Sequence, residues 1–267
     1  MNKKHLCLLI FLVLLINNQL KAQFIKLDSI RQKRIEKIAQ TDKYKIFGTS
    51  INFLDVQDTK LSPMVYSGPG VGFNFDSYKT IRNLTHYFSF NLHYSALFGP
   101  SDFDSYMHGV TFRLNKGILK SLKNEKWKIG GSTHIEAHGR IYPKVGNDLF
   151  SAEVLASLNF ASCYTMHFEL LDRPYTLELR TELPLFTYAL RFPKYSISGF
   201  NNLFMPIGIN KALRTKFTLT RPLKFFNQNK YSISYEWDFY SFKENEGLHK
   251  LVSGTHYITF SYWLKTK

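Results

Sequence analysis

Over most of the chain, apolar and polar side chains alternate with a period of two. In the stretch 87–98, Phe88 and Leu92 fall on one face, whereas Ser89 and Asn91 fall on the other. Successive side chains of a β-strand point to opposite faces, so this pattern predicts a long strand with one apolar and one polar face. The same alternation recurs in the segments 175–185, 231–239 and 255–264.

Applied to the whole chain, this two-residue period predicts about ten strands. Their expected spans are 43–54, 64–76, 84–98, 105–115, 126–140, 151–169, 175–190, 207–221, 230–241 and 252–265. Strands of this length are longer than is usual in soluble sandwiches, whose strands mostly run to about ten residues or fewer. The chain after the N-terminal region contains no apolar run long enough for a membrane helix, which excludes a helical membrane protein.

An even number of strands brings both termini to one end of the sheet. Four connections should share that end, and they are 77–83, 116–125, 170–174 and 222–229. The connections expected at the opposite end are 142–149, 192–206 and 242–251. A sheet can cross hydrocarbon only when it closes on itself, because every backbone N–H and C=O must then be paired within the protein. Apolar-out and polar-in alternation is typical of such closed barrels.

This pattern resembles that of Gram-negative outer-membrane β-barrels in general and covers residues 43–267. The resemblance implies an all-β, antiparallel transmembrane barrel in the cell outer membrane, with aromatic girdles at both interfaces. The expected girdle residues are Tyr44, Phe98, Trp127, Tyr164, Tyr188 and Trp263. The chain ends Trp263-Leu264-Lys265-Thr266-Lys267 and so departs from the terminal aromatic residue usual in these barrels. The competing interpretation is a secreted soluble sandwich or a lipocalin-like barrel, whose apolar face would form the core.

Residues 1–22 have the arrangement of a secretory signal peptide. Lys3 and Lys4 precede an uncharged apolar stretch, and a polar segment then ends in the small residue Ala22. We therefore predict cleavage near Ala22. We expect residues 23–42 to form a separate periplasmic segment, in which apolar residues share one face of a short amphipathic helix and basic residues cover the rest. A helix on the membrane surface, a plug of the lumen and a frayed leader remain open for it.

Net charge indicates which classes of partner to expect, and the cysteine content excludes one class of fold. Loss of Lys3, Lys4 and Lys21 with the signal lowers the formal net charge from +15 to +12. In a secreted protein this charge favours outer-membrane lipids and lipopolysaccharide as partners, with an envelope protein as a further candidate, and disfavours nucleic acid. The two cysteines, Cys7 and Cys163, exclude a disulfide framework. We expect a monomer without a cofactor.

The polar faces of the predicted strands carry acidic and basic residues in comparable numbers. The candidate lumen residues are Arg113, His134, Glu136, His138, Arg140, Glu178, Arg180, Glu182, Glu236 and Asp238. Further inward positions are Asn74, Asn91, Asn159, His167, Glu169, Arg214 and Lys216. Buried charges need partners, so these residues predict a mutually paired network that fills a narrow lumen. A structural role, ligand binding and a narrow passage remain open, and each is favoured over catalysis.

His134, Glu136 and His138 form a short motif that suggests a metal site. On a strand, residues of one face lie about 6.8 Å apart, so the two histidines are separated by roughly 13 Å. One ion cannot be held by both at bonding distance, and we expect no metal site. The run Ser67–Gly72 is rich in glycine but lies within a predicted strand, where it indicates kinks or space for a bulky neighbour.

His93-Tyr94-Ser95 carries the main catalytic alternative, ahead of an outer-membrane protease that would use Asp102, Asp104 and His108. A histidine and a serine two apart share one face of a strand, which suits activation of the hydroxyl by the imidazole. The spacing resembles the His-x-Ser element of outer-membrane phospholipase A and lipid A 3-O-deacylases. That resemblance implies a lipid esterase with Ser95 as nucleophile and His93 as base. Those families usually have Asn after the serine, whereas this chain has Ala96.

Overall fold

The computed structural model describes residues 41–59, 64–99, 106–122, 126–143, 149–171, 173–193, 201–206, 211–223, 228–244 and 249–266. The strands are β1 (Thr41–Asp58), β2 (Val65–Ile81), β3 (Leu84–Phe98), β4 (Tyr106–Ser121), β5 (Trp127–Tyr142), β6 (Leu149–Leu170), β7 (Arg173–Pro193), β8 (Asn201–Pro206), β9 (Lys211–Pro222), β10 (Lys230–Glu244) and β11 (His249–Thr266). The last two residues of the predicted N-terminal segment belong to β1. The rest of that segment, with its predicted helix, and the predicted signal peptide lie outside the described residues.

The strands form one antiparallel sheet that closes on itself. Neighbours along the chain pair in turn from β1 to β7, and β1 pairs with β11 to complete the circuit. Both β8 and β9 pair with β7, and β9 also pairs with β10. Because β8 and β9 follow one another along β7, they are two segments of a single barrel strand. The barrel therefore has ten strands, as the alternation predicts.

The split strand departs from the prediction, which assigned 192–206 to a connection and began the strand at residue 207. That boundary is wrong, because residues 201–206 pair with Phe186–Arg191 of β7. Pro206 pairs with Phe186 and Arg214 with Glu182, so the two pairings are separated by three residues of β7 but by seven residues of the paired segment. Residues 201–206 show no polar–apolar alternation. Their pairing with β7, and not a local pattern, makes them a strand.

Burial alternates along each strand, but in contrast to a soluble protein the polar side chains are buried and the apolar side chains are exposed. On β1, Asn52 is 2% exposed, whereas the neighbouring Ile51 is 59% exposed. On β2, Val71 is 61% exposed and Asn74 is buried. Polar side chains thus fill the middle of the interior, while apolar side chains cover the outside. Within the described residues, the structure contains no helix long and apolar enough to cross a membrane.

Two ends of the barrel can be distinguished by the chain's connections. The terminal end is where the chain enters β1 and leaves β11, and it also carries the turn at Arg82, a residue with a φ of 54°. The far end carries the connections from β1 to β2, β3 to β4, β5 to β6 and β10 to β11.

Candidate functional site

The middle of the lumen is filled by a layer of paired charges, the charged layer, made of Arg113, Glu136, Glu182, Arg214, Glu236 and Asp238. Arg214 lies at its centre on β9. Its Nη2 donates to Asp238 Oδ2 at 2.9 Å and to His134 Nε2 at 2.9 Å, and its Nη1 donates to Glu182 Oε2 at 3.3 Å. One guanidinium thus joins its two neighbouring strands, β7 and β10, to β5 across the lumen.

Arg113 on β4 is the second cation of the charged layer. It donates to Glu236 on β10 and lies 3.2 Å from Asp238 Oδ2 and 3.7 Å from Glu136 Oε1. Its guanidinium also lies 4.9 Å from the centre of the Tyr257 ring, at a distance suited to a cation–π contact. Both arginines therefore contact carboxylates across the lumen at this level.

Neutral donors complete the charged layer on its terminal side. Tyr87 Oη donates to Glu182 Oε1 at 2.9 Å, and Asn115 Nδ2 donates to both oxygens of the same carboxylate at 2.9 Å. Glu182 is 3% exposed. A buried carboxylate with several donors is stabilised in its charged form, so these contacts hold the layer together.

The motif His134, Glu136 and His138 on β5 lies at the edge of the charged layer. Both histidines approach the same carboxylate, with His134 Nε2 3.3 Å from Glu136 Oε2 and His138 Nε2 3.3 Å from Glu136 Oε1. Glu136 is also approached by Arg113 and Arg214. Among the described residues, no group of three or more potential ligands has the arrangement of a metal site.

The far end of the lumen is filled by apolar side chains, which we call the far-end cap. Its members are Leu54, Val56, Tyr66, Leu97, Met107, Tyr142, Leu155, Ala189, Tyr240, Phe242 and Leu251. None is more than 6% exposed. A smaller ionic cluster lies among the cap residues, where Glu153 accepts hydrogen bonds from Arg140 Nη2 and Tyr240 Oη, each at 2.7 Å. Arg191 pairs with Asp58 in the same region.

The terminal end of the lumen contains an open space, the terminal cavity, of about 330 Å³. Its walls combine hydroxyl groups, charged residues and the rings of Tyr44, Tyr78 and Trp263. The charged residues that line it are Asp42, Asp76, Lys128, Glu178, Arg180, Lys216 and Lys230. Arg180 Nη2 donates to Glu178 Oε1 at 2.8 Å and to the Tyr78 hydroxyl. This volume lies within the range of small-molecule sites, which is about 300–1,000 Å³.

The residues of the predicted esterase element lie inside the barrel. His93 and Ser95 are 3% and 2% exposed. Ser50 Oγ lies 3.2 Å from His93 Nδ1, and Asn52 Nδ2 donates to Ser95 Oγ at 2.7 Å. Both side chains thus bind residues of β1 and point away from the apolar outer surface. Catalysis by this element stays a prediction.

Glycines on β2 provide the space for this cluster. A Cβ on Gly70 would lie 2.6 Å from Asn52 Oδ1, and a Cβ on Gly72 would lie 2.7 Å from His93 Cε1. The glycine run therefore makes room for a bulky neighbour, which is one of the two alternatives given by the sequence.

The predicted lumen residues all occupy inward positions. Nine of the ten are buried, and Glu178 is half-buried at the wall of the terminal cavity. Sequence reasoning missed Asn115, Tyr87, Glu153, Asp58 and Arg191. All five follow the same alternation as the predicted residues, so the pattern could have identified their direction but not their partners.

The girdle prediction is wrong for two aromatic residues. Tyr44 is buried in the barrel, and Trp263 lines the terminal cavity. Both belong to the inward set of their strands, so closeness to a strand end does not decide their face. Phe98, Trp127 and Tyr188 do lie outside, with exposed fractions of 39%, 43% and 40%.

The chain matches no protein-family model and no curated protein sequence. Among solved structures, it is similar to the translocator domain of the autotransporter NalP from Neisseria meningitidis, with a TM-score of 0.47 and 12% identity over 92% of this chain and 97% of that one. It is also similar to Neisserial surface protein A, with a TM-score of 0.34 and 9% identity over 81% and 95% of the two chains. A third similar structure is that of a Pseudomonas aeruginosa FadL homologue, with a TM-score of 0.36 and 7% identity over 83% of this chain and 90% of that one. All three scores lie below 0.5, so none of these likenesses supports an assignment of function.

Proposed function

We propose that this protein is an outer-membrane β-barrel with a closed lumen, whose terminal cavity binds a small polar ligand. The observation that carries the proposal is the reversal of burial, in which apolar side chains are exposed outside and charged ones are buried inside. A closed sheet with an apolar outer face suits hydrocarbon, where unpaired backbone groups and exposed charges are costly.

The orientation follows from the position of the chain termini. In outer-membrane barrels with an even number of strands, both termini and the shorter turns face the periplasm. The terminal cavity would then open toward the periplasm and the far-end cap would face the cell exterior. The expected ligand is therefore a periplasmic solute, and the expected location agrees with the predicted signal peptide.

Ligand binding is favoured over passage of a solute through the barrel, because both the charged layer and the far-end cap block the lumen. Leu97 and Met107 of the far-end cap are fully buried, and Arg113 in the charged layer is 3% exposed. A solute that enters the terminal cavity meets the charged layer first and the apolar cap behind it. Crossing would require several buried ion pairs to break together, which is strongly unfavourable.

Reaction of introduced cysteine thiols with a maleimide tests whether the lumen is open only at its terminal end. In a cysteine-free C7S/C163S background, Thr176→Cys places a thiol at the wall of the terminal cavity. Ser253→Cys places one at a position that is 1% exposed near the far-end cap. We expect a polar maleimide to label the first variant quickly and the second only after unfolding. Equal labelling of both folded proteins would show that the lumen is open throughout.

Conductance and ligand binding complete the test. The full chain, shown to be folded by heat-dependent gel mobility, should give no single-channel currents in planar bilayers. Small polar solutes such as sugar phosphates and amino acids should then be compared for their effect on thermal stability. We expect one class of these solutes to raise the Tm of the original protein. The same solutes should leave the Tm of Thr176→Trp unchanged, because its larger side chain fills the terminal cavity. Steady currents, or the absence of a stabilising solute, would contradict the proposed role.

A further inference from the structure

Four lysines form a cationic arc on the outer surface near the terminal end. Lys45 lies on β1, Lys79 on β2, and Lys116 and Lys120 lie on β4, and all four side chains are exposed. These strands are adjacent around the barrel, with β3 between β2 and β4. His86 on β3 is also exposed and pairs directly with Lys79. The four lysines thus lie on β1, β2 and β4 near the terminal end of the outer surface, with His86 between them on β3.

Among the described residues, the exposed carboxylate nearest in sequence to the cationic arc is that of Asp42, which lines the terminal cavity and lies 3.0 Å from Lys265 Nζ. Of the Asp and Glu residues whose burial the structure describes, Asp55 alone occupies an outward position, and it lies toward the far end of β1. The inward acidic residues are largely paired with interior arginines and lysines. Within the described part of the chain, no carboxylate forms an ion pair with a lysine of the arc. Its positive charge is therefore available to an external partner.

The cationic arc borders directly on the apolar outer surface. Ile118, between Lys116 and Lys120 on the same face of β4, is 47% exposed. Phe47 follows Lys45 on the same face of β1 and is 42% exposed, and Phe88 pairs with Lys116 and is 37% exposed. Lysine side chains at such a boundary lay their methylene stems on apolar surface while the ammonium group reaches the polar region. This arrangement fits a lipid whose acyl chains contact the phenylalanines and whose headgroup meets the lysines.

We propose that the cationic arc binds the headgroups of anionic phospholipids of the phosphatidylglycerol class, in the leaflet at the terminal end. The inference rests on the bilayer location proposed above. Phosphate groups carry the negative charge that the arc lacks, and juxtamembrane lysines are attracted to anionic leaflets. Lipid binding at this arc fixes the depth of the barrel on the β1–β4 side.

A matched pair of variants tests the proposal. K116Q/K120Q removes two charges from the cationic arc, and K243Q/K250Q removes two from exposed far-end residues that pair with each other. Both variants have the same net charge. A difference between them in lipid binding therefore reports where the lysines lie and not the total charge of the protein. Phosphatidylglycerol and phosphatidylcholine with identical acyl chains would be titrated against the folded full chain, with bound lipid counted by native mass spectrometry.

We expect the original protein and K243Q/K250Q to bind phosphatidylglycerol more tightly than phosphatidylcholine. K116Q/K120Q should lose about tenfold or more in phosphatidylglycerol affinity, from the usual contribution of each lysine near an anionic surface. Its phosphatidylcholine affinity should not change. Equal losses in the two variants, or no loss in either, would overturn the proposal.

Insertion into phosphatidylcholine vesicles separates this outcome from failure of the proposed function. If the folded chain inserts there but shows no preference for phosphatidylglycerol, the lipid site is wrong and the membrane location stands. If the folded chain does not insert into vesicles of either lipid, the membrane location itself is wrong. Heat-dependent gel mobility of both variants establishes that each is folded before lipid is added.

Discussion

Gly72 on β2 pairs with His93 on β3, and the missing side chain of the glycine leaves the space that the imidazole occupies. A Cβ at this position would lie 2.7 Å from His93 Cε1, which is closer than carbon atoms pack. Gly72→Ala should therefore displace the His93 ring and its contact with Ser50. We expect the free energy of unfolding to fall by about 1–3 kcal/mol, as for other overpacked interiors.

Gly254→Ala is the matched control for this prediction, because a Cβ on Gly254 would meet no atom within 4 Å. Urea unfolding in phospholipid vesicles, followed by tryptophan fluorescence, measures both variants. Equal free energies of unfolding for the two alanine variants would show that the space beside Gly72 is not needed by the histidine.

Glu153 holds together the ionic cluster among the residues of the far-end cap. It is 1% exposed and accepts hydrogen bonds from Arg140 and Tyr240. Glu153→Gln leaves the Arg140 guanidinium buried without its carboxylate, which should cost about 3–5 kcal/mol of unfolding free energy. The measurement is again equilibrium unfolding in vesicles.

The double variant R140M/E153Q shows whether this loss comes from the pair. We expect it to be less destabilised than the sum of the two single variants, since neither charge is then left alone. Strictly additive losses would mean that Arg140 and Glu153 act independently, contrary to their 2.7 Å contact.

Phe242 tests the packing of the far-end cap. The side chain is 1% exposed among apolar neighbours, so Phe242→Ala should open a cavity and cost about 3–5 kcal/mol. Phe242→Leu preserves most of the volume and should cost less than about 1.5 kcal/mol. If both substitutions have the same small effect on unfolding, the cap is not tightly packed and does not close the lumen.

Ser95 tests the esterase alternative. Its hydroxyl accepts a hydrogen bond from Asn52, and His93 Nδ1 faces Ser50, with both residues directed into the lumen. We therefore expect the folded protein and Ser95→Ala to release no fatty acid from native envelope lipids, as measured by mass spectrometry. Release by the original protein that disappears in Ser95→Ala would instead establish an outer-membrane lipid hydrolase.

The sequence by itself determined the strands and the direction of their side chains. Alternation is a local property of an extended chain, so Arg180, Glu182 and Asp238 could be assigned to the interior without knowing any partner. Even the missed residue Glu153 follows this rule. The positions of the strands were predictable for the same reason, but β2 and β4 continue through 77–81 and 116–121, which the prediction assigned to connections, and 201–206 show no alternation.

Only the tertiary structure decided which interior residues meet. Tyr87 and Glu182 are 95 positions apart in the chain, and Arg113 and Glu236 are 123 apart. Such contacts cross the lumen, so they depend on the pairing register of every intervening strand and on closure between β1 and β11. The contrast between the apolar far-end cap and the open terminal cavity arises in the same way. Each strand contributes at most three side chains to either level, and closure of the sheet brings those contributions together as the far-end cap at one end and the terminal cavity at the other.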